Sequence, residues 1–550
     1  MEKRIILAFA LSFLVMVLWS YLFGTKQEQA PKGDEGTVQE STAVMPESGT
    51  RQDSGLQFQN TQAVFSVVEE EIKVDTPLYE AVFTNKGATI KSFKLKKYKT
   101  ALELDSPPVE LVNIEDNRAN FLSVSFIAGE PTAENNEVFY STLQDSVKLE
   151  EGSSPRDFTF RYPSANGVSI DQTFRFYPDK YIIGLYVSIT NNSGTPISGN
   201  VRTSLKNMLP ESKRGYASFT GAALLFNNKL EQIKYSKMKK EAKSLSGQIG
   251  WIAYESGYFI SSIIPEDQSS GEFYGLTTPS DILRASYISP AISINPSGRE
   301  TFEYSLYFGP KDQDILKGAG KRLEKAIDFG FFDIIAKPLH FLLKFFNKYV
   351  GNYGVSIIIL TILIKIIFWP LTHKSYVSMK EMQKIQPLMA KIREKYKDDR
   401  EQMQREMMGL YKTYKVNPMG GCLPMLIQIP VFFALYRILG SSIELRHAPF
   451  MLWITDLSAP DRLFHFPFTI PLMSPPYGIP VLTLLMGASM FLQQKMSPPP
   501  GDPTQAKMMM FLPILFTVMF INFQSGLVLY WLTNNIISIG QQYYIKKRSA

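Results

Sequence analysis

The sequence predicts an α+β membrane protein with an N-terminal transmembrane anchor, an antiparallel β-sandwich, and a C-terminal α-helical membrane core of five transmembrane helices with a helical hairpin. Three observations lead to this fold class. An apolar stretch follows the first four residues, runs of alternating apolar and polar residues fill much of the first 309 positions, and five further apolar segments follow. A chain of 550 residues is also too long for one ordinary domain.

The first apolar stretch, residues 5–23, contains only two serines among its apolar residues and follows Lys3 and Arg4. It is long enough to cross a hydrocarbon core of ~30 Å. A cleaved signal peptide and a retained anchor both fit this length. Bulky residues fill the exit of the stretch, and no small-x-small cleavage site precedes Gly24, so we expect an uncleaved anchor over residues 1–24.

Residues 25–60 are rich in Gln, Glu, Gly, Ser and Thr and poor in large apolar residues, which predicts a flexible linker. Alternating runs separated by turn signals then predict one β-sandwich domain, closed by an amphipathic helix, over residues 61–327. The strands predicted most clearly cover residues 79–83, 90–95, 173–176, 181–189 and 302–308. No His or Cys occurs between residues 61 and 309, which excludes zinc sites, His-based triads and thiol nucleophiles there.

Residues 328–350 predict an amphipathic helix that lies in the membrane interface. Its apolar residues recur at spacings of three or four, and three lysines occupy the other side. A helix packed on the β-sandwich is the alternative. The apolar positions are Phe332, Ile335, Leu339, Leu342, Phe346 and Tyr349.

The membrane core, residues 351–550, contains the five further apolar spans, and the last two are separated by a break at residues 523–526. Six spans put both termini on one side of the membrane. Basic residues at both ends of the chain mark that side as the cytoplasm, which leaves the β-sandwich in the periplasm of a multi-pass inner-membrane protein. The net charge of +7 gathers beside apolar runs, so we do not expect direct nucleic-acid recognition. The five spans are residues 355–372, 422–439, 479–493, 508–522 and 527–543.

A cytoplasmic helical hairpin is predicted over residues 375–416, because apolar residues repeat there at near-heptad spacing on both sides of a charged turn. Pro387 should kink its first arm. Several of the repeated residues are methionines. They either form an adaptable surface for apolar partners or simply fill the seam between the two arms.

Lys365 is the residue that points most directly to a function. It lies ten residues past the start of the second span and seven before its end, and no Asp or Glu occurs in any of the six spans. A charge at such depth costs about 2.5 kcal/mol or more and must face protein, water or a bundle interior. Snorkelling to the interface is the alternative, but the cytoplasmic end of the helix is ~10 Å away along its axis. We therefore expect a water-filled recess, in which a solitary cation attracts acidic or polar chain.

Other polar residues interrupt the spans close to this depth: Thr361 one turn before Lys365, Gln428 in the third span, and Tyr530, Trp531 and Asn534 in the sixth. Hydrogen bonding between helices would also account for several of them. The four histidines are scattered without metal-ligand spacing, no Gly-rich phosphate loop is present, and the lone Cys422 fits a buried structural thiol. We therefore expect neither a cofactor nor a metal, and no enzymatic reaction.

Several motifs in the second half of the chain resemble those of the YidC family of membrane protein insertases, in the form with a large periplasmic domain. The resemblance is specific from about residue 328 to the end and looser over the β-sandwich and the anchor. The motifs are LYFGPK at 306–311, GNYG at 351–354, PLT at 370–372, NPMGGCLP at 417–424, LIQIP at 426–430, ALY at 434–436, SIELR at 442–446, WITDLS at 453–458, QKMSP at 494–498 and SGLVLYW at 525–531.

The resemblance implies a hydrophilic groove open to the cytoplasm and to lipid, with a family arginine at its centre. That position here is Lys365, which keeps the charge but loses the planar fork of arginine. The family's groove threonine maps to Thr361, its glutamine to Gln428, and its aromatic pair to Tyr530 and Trp531. The outer domain is similar to the family's β-supersandwich.

The resemblance also implies a set of partners. These are nascent membrane proteins, the lipid bilayer, the Sec translocon, and the ribosome and targeting receptor at the cytoplasmic hairpin. Two other functions remain open from the residues alone. A solute or anion transporter would use Lys365 as its substrate charge, although the chain shows no internal repeat. An envelope assembly scaffold would use the β-sandwich to bind a partner, although passive spans need no buried lysine.

Overall fold

A computed structural model of the chain describes residues 68–103, 105–114, 119–127, 138–142, 146–162, 167–208, 219–267, 270–414, 416, 423–496 and 503–548. The predicted anchor, residues 1–24, and the predicted linker, residues 25–60, lie outside the described residues. Side chains are described for all of these positions except 400, 423–426, 503–508, 546 and 548.

The first part of the described chain is a β domain made of two sheets. The smaller sheet has five strands in the order β4-β3-β2-β1-β6, and the larger has thirteen, with β10, β13 and β18 among its longest. The strands of the smaller sheet are β1 Glu71–Asp75, β2 Tyr79–Thr84, β3 Thr89–Lys99, β4 Pro108–Glu110 and β6 Ser146–Lys148.

The strand order of the larger sheet is β17-β10-β16-β15-β13-β14-β18-β9-β8-β7. In addition, β5 pairs with β10, β11 pairs with β13, and β12 pairs with β11. Its strands are β5 Leu122–Ile127, β7 Arg156–Tyr162, β8 Val168–Phe176, β9 Ile182–Asn191, β10 Ile197–Met208, β11 Thr220–Phe226, β12 Lys229–Lys234, β13 Lys243–Ser256, β14 Phe259–Pro265, β15 Ser270–Thr277, β16 Ile282–Ile288, β17 Ile292–Ile294 and β18 Arg299–Pro310. A single helical turn, α1 Tyr235–Met238, follows β12.

The core of the β domain is rich in aromatic side chains contributed by both sheets. Phe83 of the smaller sheet contacts Phe158 and Phe174 of the larger one, with ring centroids 5.1 Å apart in each pair. Alternation places these rings inward and their polar neighbours outward, as the runs in the sequence predicted. One expectation was wrong, because the sheets are not purely antiparallel: β6 pairs with β1 in parallel.

The predicted closing helix is also shorter than expected. The structure has α2 Gln313–Ala319, whose start is capped by the Asp312 carboxylate, and then a separate 3-10 turn, Leu323–Ala326. Gly320 divides them with φ +77°, a left-handed value that glycine adopts without steric cost. Lys321 and Arg322 also have positive φ, so the chain turns here and does not continue as a helix.

The second part of the chain is a helical core. Its helices are α3 Asp333–Val350, α4 Tyr353–Lys395, α5 Arg400–Thr413, α6 Leu423–Ser441, α7 Val481–Met496, α8 Pro503–Phe520 and α9 Ser525–Arg548. Two 3-10 turns, Gly330–Phe332 and Ile443–Leu445, and a small hairpin of β19 Leu463–Phe466 and β20 Tyr477–Ile479 complete it. Within the described residues, α4 is the one helix long and apolar enough to cross a membrane, and the shorter apolar helices are Ile427–Ser441 and Met509–Phe520.

α4 is 43 residues long and joins two predicted elements into one. The second span continues without interruption into the first arm of the hairpin, and Pro370 and Pro387 both lie inside the helix. The second arm is α5. Met382, Met389 and Met407 lie in the apolar seam where α4 and α5 pack, which is the structural role considered for these methionines.

The β domain and the helical core are joined by charged contacts at two places. The Lys344 ammonium of α3 lies 2.7 Å from Asp314 Oδ2 of α2 and 3.3 Å from Glu444 Oε1, which follows α6. The Arg446 guanidinium donates to the backbone carbonyls of Lys99 and Thr100, at 2.6 and 3.2 Å, at the end of β3. These bonds fix the β domain over the end of the core at which α6 ends.

Candidate functional site

The candidate site is built on α4, whose first turn is set by Asn352. The Asn352 side chain accepts a hydrogen bond from the backbone N–H of Val355, which satisfies one of the free donors at the helix start. Lys365 follows three turns later, between Ile364 and Ile366. Its exposed fraction is only 9%, so the cation is not displayed on the outer surface of the helix.

The Lys365 ammonium is bound to a neighbouring helix. It donates a 2.7 Å hydrogen bond to Ser538 Oγ of α9, and Ser538 Oγ in turn donates to the Asn534 carbonyl at 2.8 Å. Among the described residues, no carboxylate lies within 4.0 Å of Lys365, whereas other buried cations such as Lys311 are paired. The Lys365 ammonium therefore has a hydrogen-bond partner, but it has no counter-charge among the described residues.

A narrow cleft with a volume of about 30 Å³ lies beside Lys365, between α4, α6 and α9. Five of its ten lining residues are polar, but most of the exposed lining surface is apolar, so the lining is less hydrophilic than the family resemblance implies. Two lining groups, the Tyr530 hydroxyl and the Gln428 amide nitrogen, are buried without a standard hydrogen bond to any described group. The lining residues are Ile364, Lys365, Phe368, Leu371, Thr372, Ile427, Gln428, Val431, Tyr530 and Asn534.

Four of the six predicted site residues, Lys365, Gln428, Tyr530 and Asn534, meet at this cleft. Thr361 does not line it, because the Thr361 hydroxyl is buried and donates to the Ile357 carbonyl of its own helix at 2.6 Å. Trp531 does not line it either.

Trp531 instead packs into an aromatic cluster with Phe432, Phe516 and Phe520. Phe432 lies one turn past Gln428 on α6, and Trp531 lies near the start of α9. The cluster therefore fills the core on the side of the cleft towards the β domain. The cleft itself lies in the half of the core nearer the hairpin.

Sequence reasoning missed a polar stripe on α9. Ser538 binds Lys365, the Gln541 side chain and the Thr372 hydroxyl bond each other at 2.9 Å, and the Asn535 amide donates to Ser489 of α7 at 2.9 Å. All of these α9 residues are buried. Asn534, Ser538 and Gln541 recur at spacings of four and three, which is the repeat of one helix face and was the available signal.

No group of three or more His, Cys, Asp and Glu residues is placed to hold a metal within the described ranges. What the cleft offers chemically is one ammonium, two amides and hydroxyl groups, which are able to form hydrogen bonds and to attract negative charge.

Comparison with known proteins places the chain in a family. A model described as the 60Kd inner membrane protein matches residues 345–550, and one described as the YidC periplasmic domain matches residues 71–342. The chain is 43% identical to the membrane protein insertase YidC of Syntrophus aciditrophicus (strain SB), with 100% of both chains covered. It belongs to the YidC family.

A second YidC relative, from Geobacter sulfurreducens, is 41% identical and is covered over 98% of its length and 100% of this chain. A solved structure of an active YidC insertase with its first transmembrane domain resolved covers 98% of this chain and 99% of that one, at 18% identity and a TM-score of 0.38. The family predicted from the motifs is therefore confirmed by the sequence matches. The β domain is the YidC periplasmic domain, and the helical core is the inner-membrane part of the family.

Proposed function

We propose that this chain is an insertase and chaperone for nascent membrane proteins in the bacterial inner membrane, acting alone or with the Sec translocon. The observation that carries the proposal is Lys365, a buried cation with no described counter-charge, beside a cleft formed by three helices. Both matched relatives are named membrane protein insertases. The reaction requires positioning and charge attraction, and no covalent step.

Within the described residues, the Lys365 ammonium donates to one protein group, the Ser538 hydroxyl, which leaves two N–H donors for a ligand or water. A short polar tail of a nascent protein would enter the cleft and bind there. The Gln428 and Tyr530 side chains, which line the cleft, would supply further hydrogen bonds. Once the tail is held partway across, only part of the bilayer remains for it to cross.

The driving free energy would come from the substrate's own apolar segment. Each Leu, Ile or Phe gains about 0.3–0.6 kcal/mol on entering lipid, which summed over a span of ~20 residues offsets the transfer of a short tail. The helix α7 has 16 residues and reaches only ~24 Å at 1.5 Å per residue. A helix shorter than the hydrocarbon thickness thins the bilayer beside it and shortens the crossing further.

The proposed topology has six membrane spans: the N-terminal anchor, the first part of α4, and α6 to α9. Both termini and the hairpin of α4 and α5 are cytoplasmic in this topology, and the β domain is periplasmic. Basic residues at both ends of the chain and in the hairpin support this orientation. The hairpin is then the surface available to the ribosome and the targeting receptor.

The test is depletion of this protein in its host, followed by pulse labelling of a small single-span substrate with a short extracytoplasmic tail. We expect the tail to stay protected from protease added outside the inner membrane, and a plasmid copy of the chain to restore cleavage. Normal insertion after depletion would overturn the proposal. A Lys365→Arg copy serves as the matched control, since it preserves the charge.

A further inference from the structure

The connection between α6 and α7 contains a segment of unusual composition. Residues 463–480, named here the apolar loop, include no Asp, Glu, Lys or Arg, and half of them are Leu, Ile, Met, Phe or Tyr. The loop includes the small hairpin of β19 and β20. A connection between helices that faces water is normally polar, so this composition indicates that the loop lies against an apolar neighbour.

Three large side chains of the apolar loop remain mostly exposed within the described part of the chain. The exposed fractions of Phe464, Phe468 and Leu472 are 67%, 59% and 77%. Leaving such a side chain in water forgoes about 1.5–3 kcal/mol of burial free energy. Three of them together are a substantial cost for a loop that could carry polar residues instead.

The backbone turns two of these side chains outward at a further cost. Phe464 and Leu472 have φ values of +56° and +64°, which are left-handed conformations that bulky residues rarely adopt. Such a conformation costs about 1–3 kcal/mol and persists only where the surroundings hold it.

A set of hydrogen bonds, two of them partly buried, supplies that support. The Arg462 guanidinium donates to the carbonyls of Pro476 and Ile521, at 2.9 and 2.8 Å, and the Asn522 amide donates to the Leu472 carbonyl at 2.8 Å. The neighbouring Asp461 carboxylate accepts from the backbone N–H of Leu482.

These bonds fix the depth of the apolar loop relative to the helices. Ile521 and Asn522 directly follow α8, and Leu482 lies in the first turn of α7, so the loop is attached where both helices end. Exposed apolar side chains continue from the loop onto those helices, at Leu484 and Val518. The loop and the proposed lipid-facing helix surfaces therefore form one apolar surface.

We propose that the apolar loop lies in the outer leaflet of the membrane, at the boundary between headgroups and acyl chains, and binds phospholipid through Phe464, Phe468 and Leu472. The inference rests on the proposed topology. The backbone of the apolar loop is irregular, which keeps the loop out of the hydrocarbon centre, where unsatisfied N–H and C=O groups are not tolerated. In this position it anchors the α7–α8 pair at the periplasmic surface, beside the thinned bilayer.

The experiment uses the full chain with its single cysteine removed, Cys422→Ser, and one new cysteine at a time: Phe464→Cys, Phe468→Cys or Leu472→Cys. Each is labelled with an environment-sensitive fluorophore in vesicles of phosphatidylethanolamine and phosphatidylglycerol. Nitroxide lipids are added with the quencher either near the headgroup or at the chain end. We expect emission to be roughly halved by quenchers ~5–10 Å below the headgroups and to change little with chain-end quenchers.

Two further labelling sites make the outcomes distinguishable. Leu515→Cys, on the exposed face of α8, should be quenched within the hydrocarbon if the proposed topology holds, and Leu102→Cys in the β domain should behave as in water. A water-like signal at Leu515 would contradict the proposed topology and overturn the inference with it. Quenching at Leu515 with a water-like signal at all three loop sites would overturn the inference and leave the proposed function standing. Loop labels shielded from lipid and water quenchers alike would overturn it too, since they would show contact between copies of the chain.

Discussion

Lys365 stands where the family resemblance places an arginine. An ammonium is a compact point charge with three donors, whereas a guanidinium presents a planar fork. One donor of Lys365 is used by Ser538, so this chain positions its charge through a single hydrogen bond to α9. Attraction of a carboxylate needs only the charge, but bidentate binding needs the fork.

The first prediction concerns the sign of this charge. Lys365→Glu should impair insertion of substrates with acidic tails about tenfold or more, because reversing the charge changes the interaction by at least ~1.4 kcal/mol. Lys365→Arg should retain most activity. The measurement is the inserted fraction of matched substrates with acidic and neutral tails. Equal insertion of acidic tails by the wild type and both variants would remove the role of the charge.

The second prediction concerns Ser538, which we expect to be a positioning residue. Ser538→Ala should lower insertion of acidic-tail substrates about two- to fivefold, because a hydrogen bond to a charged group is worth ~1.5–3 kcal/mol and only part of that acts on the substrate. Neutral tails should change less. Ser489→Ala is the matched control, since it removes an α7 hydroxyl that accepts a hydrogen bond from Asn535, and Asn535 lies on α9 as Ser538 does. The same loss for both variants and both tails would indicate a purely structural role.

Sequence reasoning located Lys365 because a lone charge in an apolar span is a strong signal. The Thr361 hydroxyl does not line the cleft because a threonine in a helix can bond the carbonyl of the preceding turn, as this one does. The Trp531 ring does not line it because an aromatic residue beside a cleft residue can equally well face its neighbours in the core. Ser538 was missed because a single small hydroxyl residue in a helix is a weak signal, and only its spacing from Asn534 and Gln541 indicates a polar helix face.

At the scale of elements, α4 couples the cleft to the hairpin mechanically. The same 43-residue helix carries Lys365 in its first third and the first arm of the hairpin at its end. Periodicity predicted both halves, but it could not show their continuity, because prolines at 370 and 387 ordinarily signal breaks. A partner that tilts the hairpin would therefore also move one wall of the cleft.

The α3 helix is fixed by a charge network that the sequence did not reveal. Glu444 is mostly buried and faces both His340, at 3.6 Å, and Lys344, at 3.3 Å. Burial raises the pKa of the Glu444 carboxyl, but the adjacent His340 imidazole and Lys344 ammonium outweigh this effect, and the net pKa is lowered from 4.5. A lowered pKa means that the folded state favours the ionised carboxylate.

The third prediction follows from this network. Glu444→Gln should lower the melting temperature of the purified protein at pH 7 by the equivalent of about 1–3 kcal/mol, because it leaves Lys344 with a weaker partner. Since the folded pKa is lowered, the stabilisation is present above about pH 4.5 and is lost as the pH falls through the folded pKa. The difference between variant and wild type should therefore shrink at low pH.

Asp314→Asn is the control for this measurement, because Asp314 is largely exposed and its ion pair should contribute less than ~1 kcal/mol. An equally large effect of Asp314→Asn, or a Glu444→Gln effect that does not depend on pH, would contradict the assignment of the network to the buried carboxylate.

At the scale of the whole molecule, the β domain is placed over the core by named contacts. Arg446 holds the end of β3 through two carbonyls and lies 5.7 Å from the centre of the Phe259 ring. The division into a β-sandwich and a helical core was predictable, because the two periodicities differ clearly along the chain. The docking between them was not, because it depends on single residues such as Arg446 that occur in loops.

The fourth prediction tests this docking. Arg446→Ala should loosen the β domain without unfolding it, since the apolar core of that domain is formed almost entirely by its own strands. Protease cleavage between the two parts, near residues 320–330, should become faster, while the melting transition of the β domain stays within about 0.5 kcal/mol of the wild type. Arg299→Ala, at an exposed ion pair within the β domain, is the control and should not change cleavage. Unchanged cleavage in Arg446→Ala would show that other contacts hold the domain.

The central claim is that a substrate's polar tail occupies the cleft beside Lys365 during insertion, and site-specific photocrosslinking of stalled nascent chains tests it most directly. The crosslinker is placed at Gln428 or Asn534, which line the cleft, and at Leu102 of the β domain as a control. We predict strong crosslinks between the substrate tail and positions 428 and 534. For substrates with acidic tails, these crosslinks should weaken when the protein also carries Lys365→Glu. Crosslinks at the cleft no stronger than those at position 102 would contradict the claim.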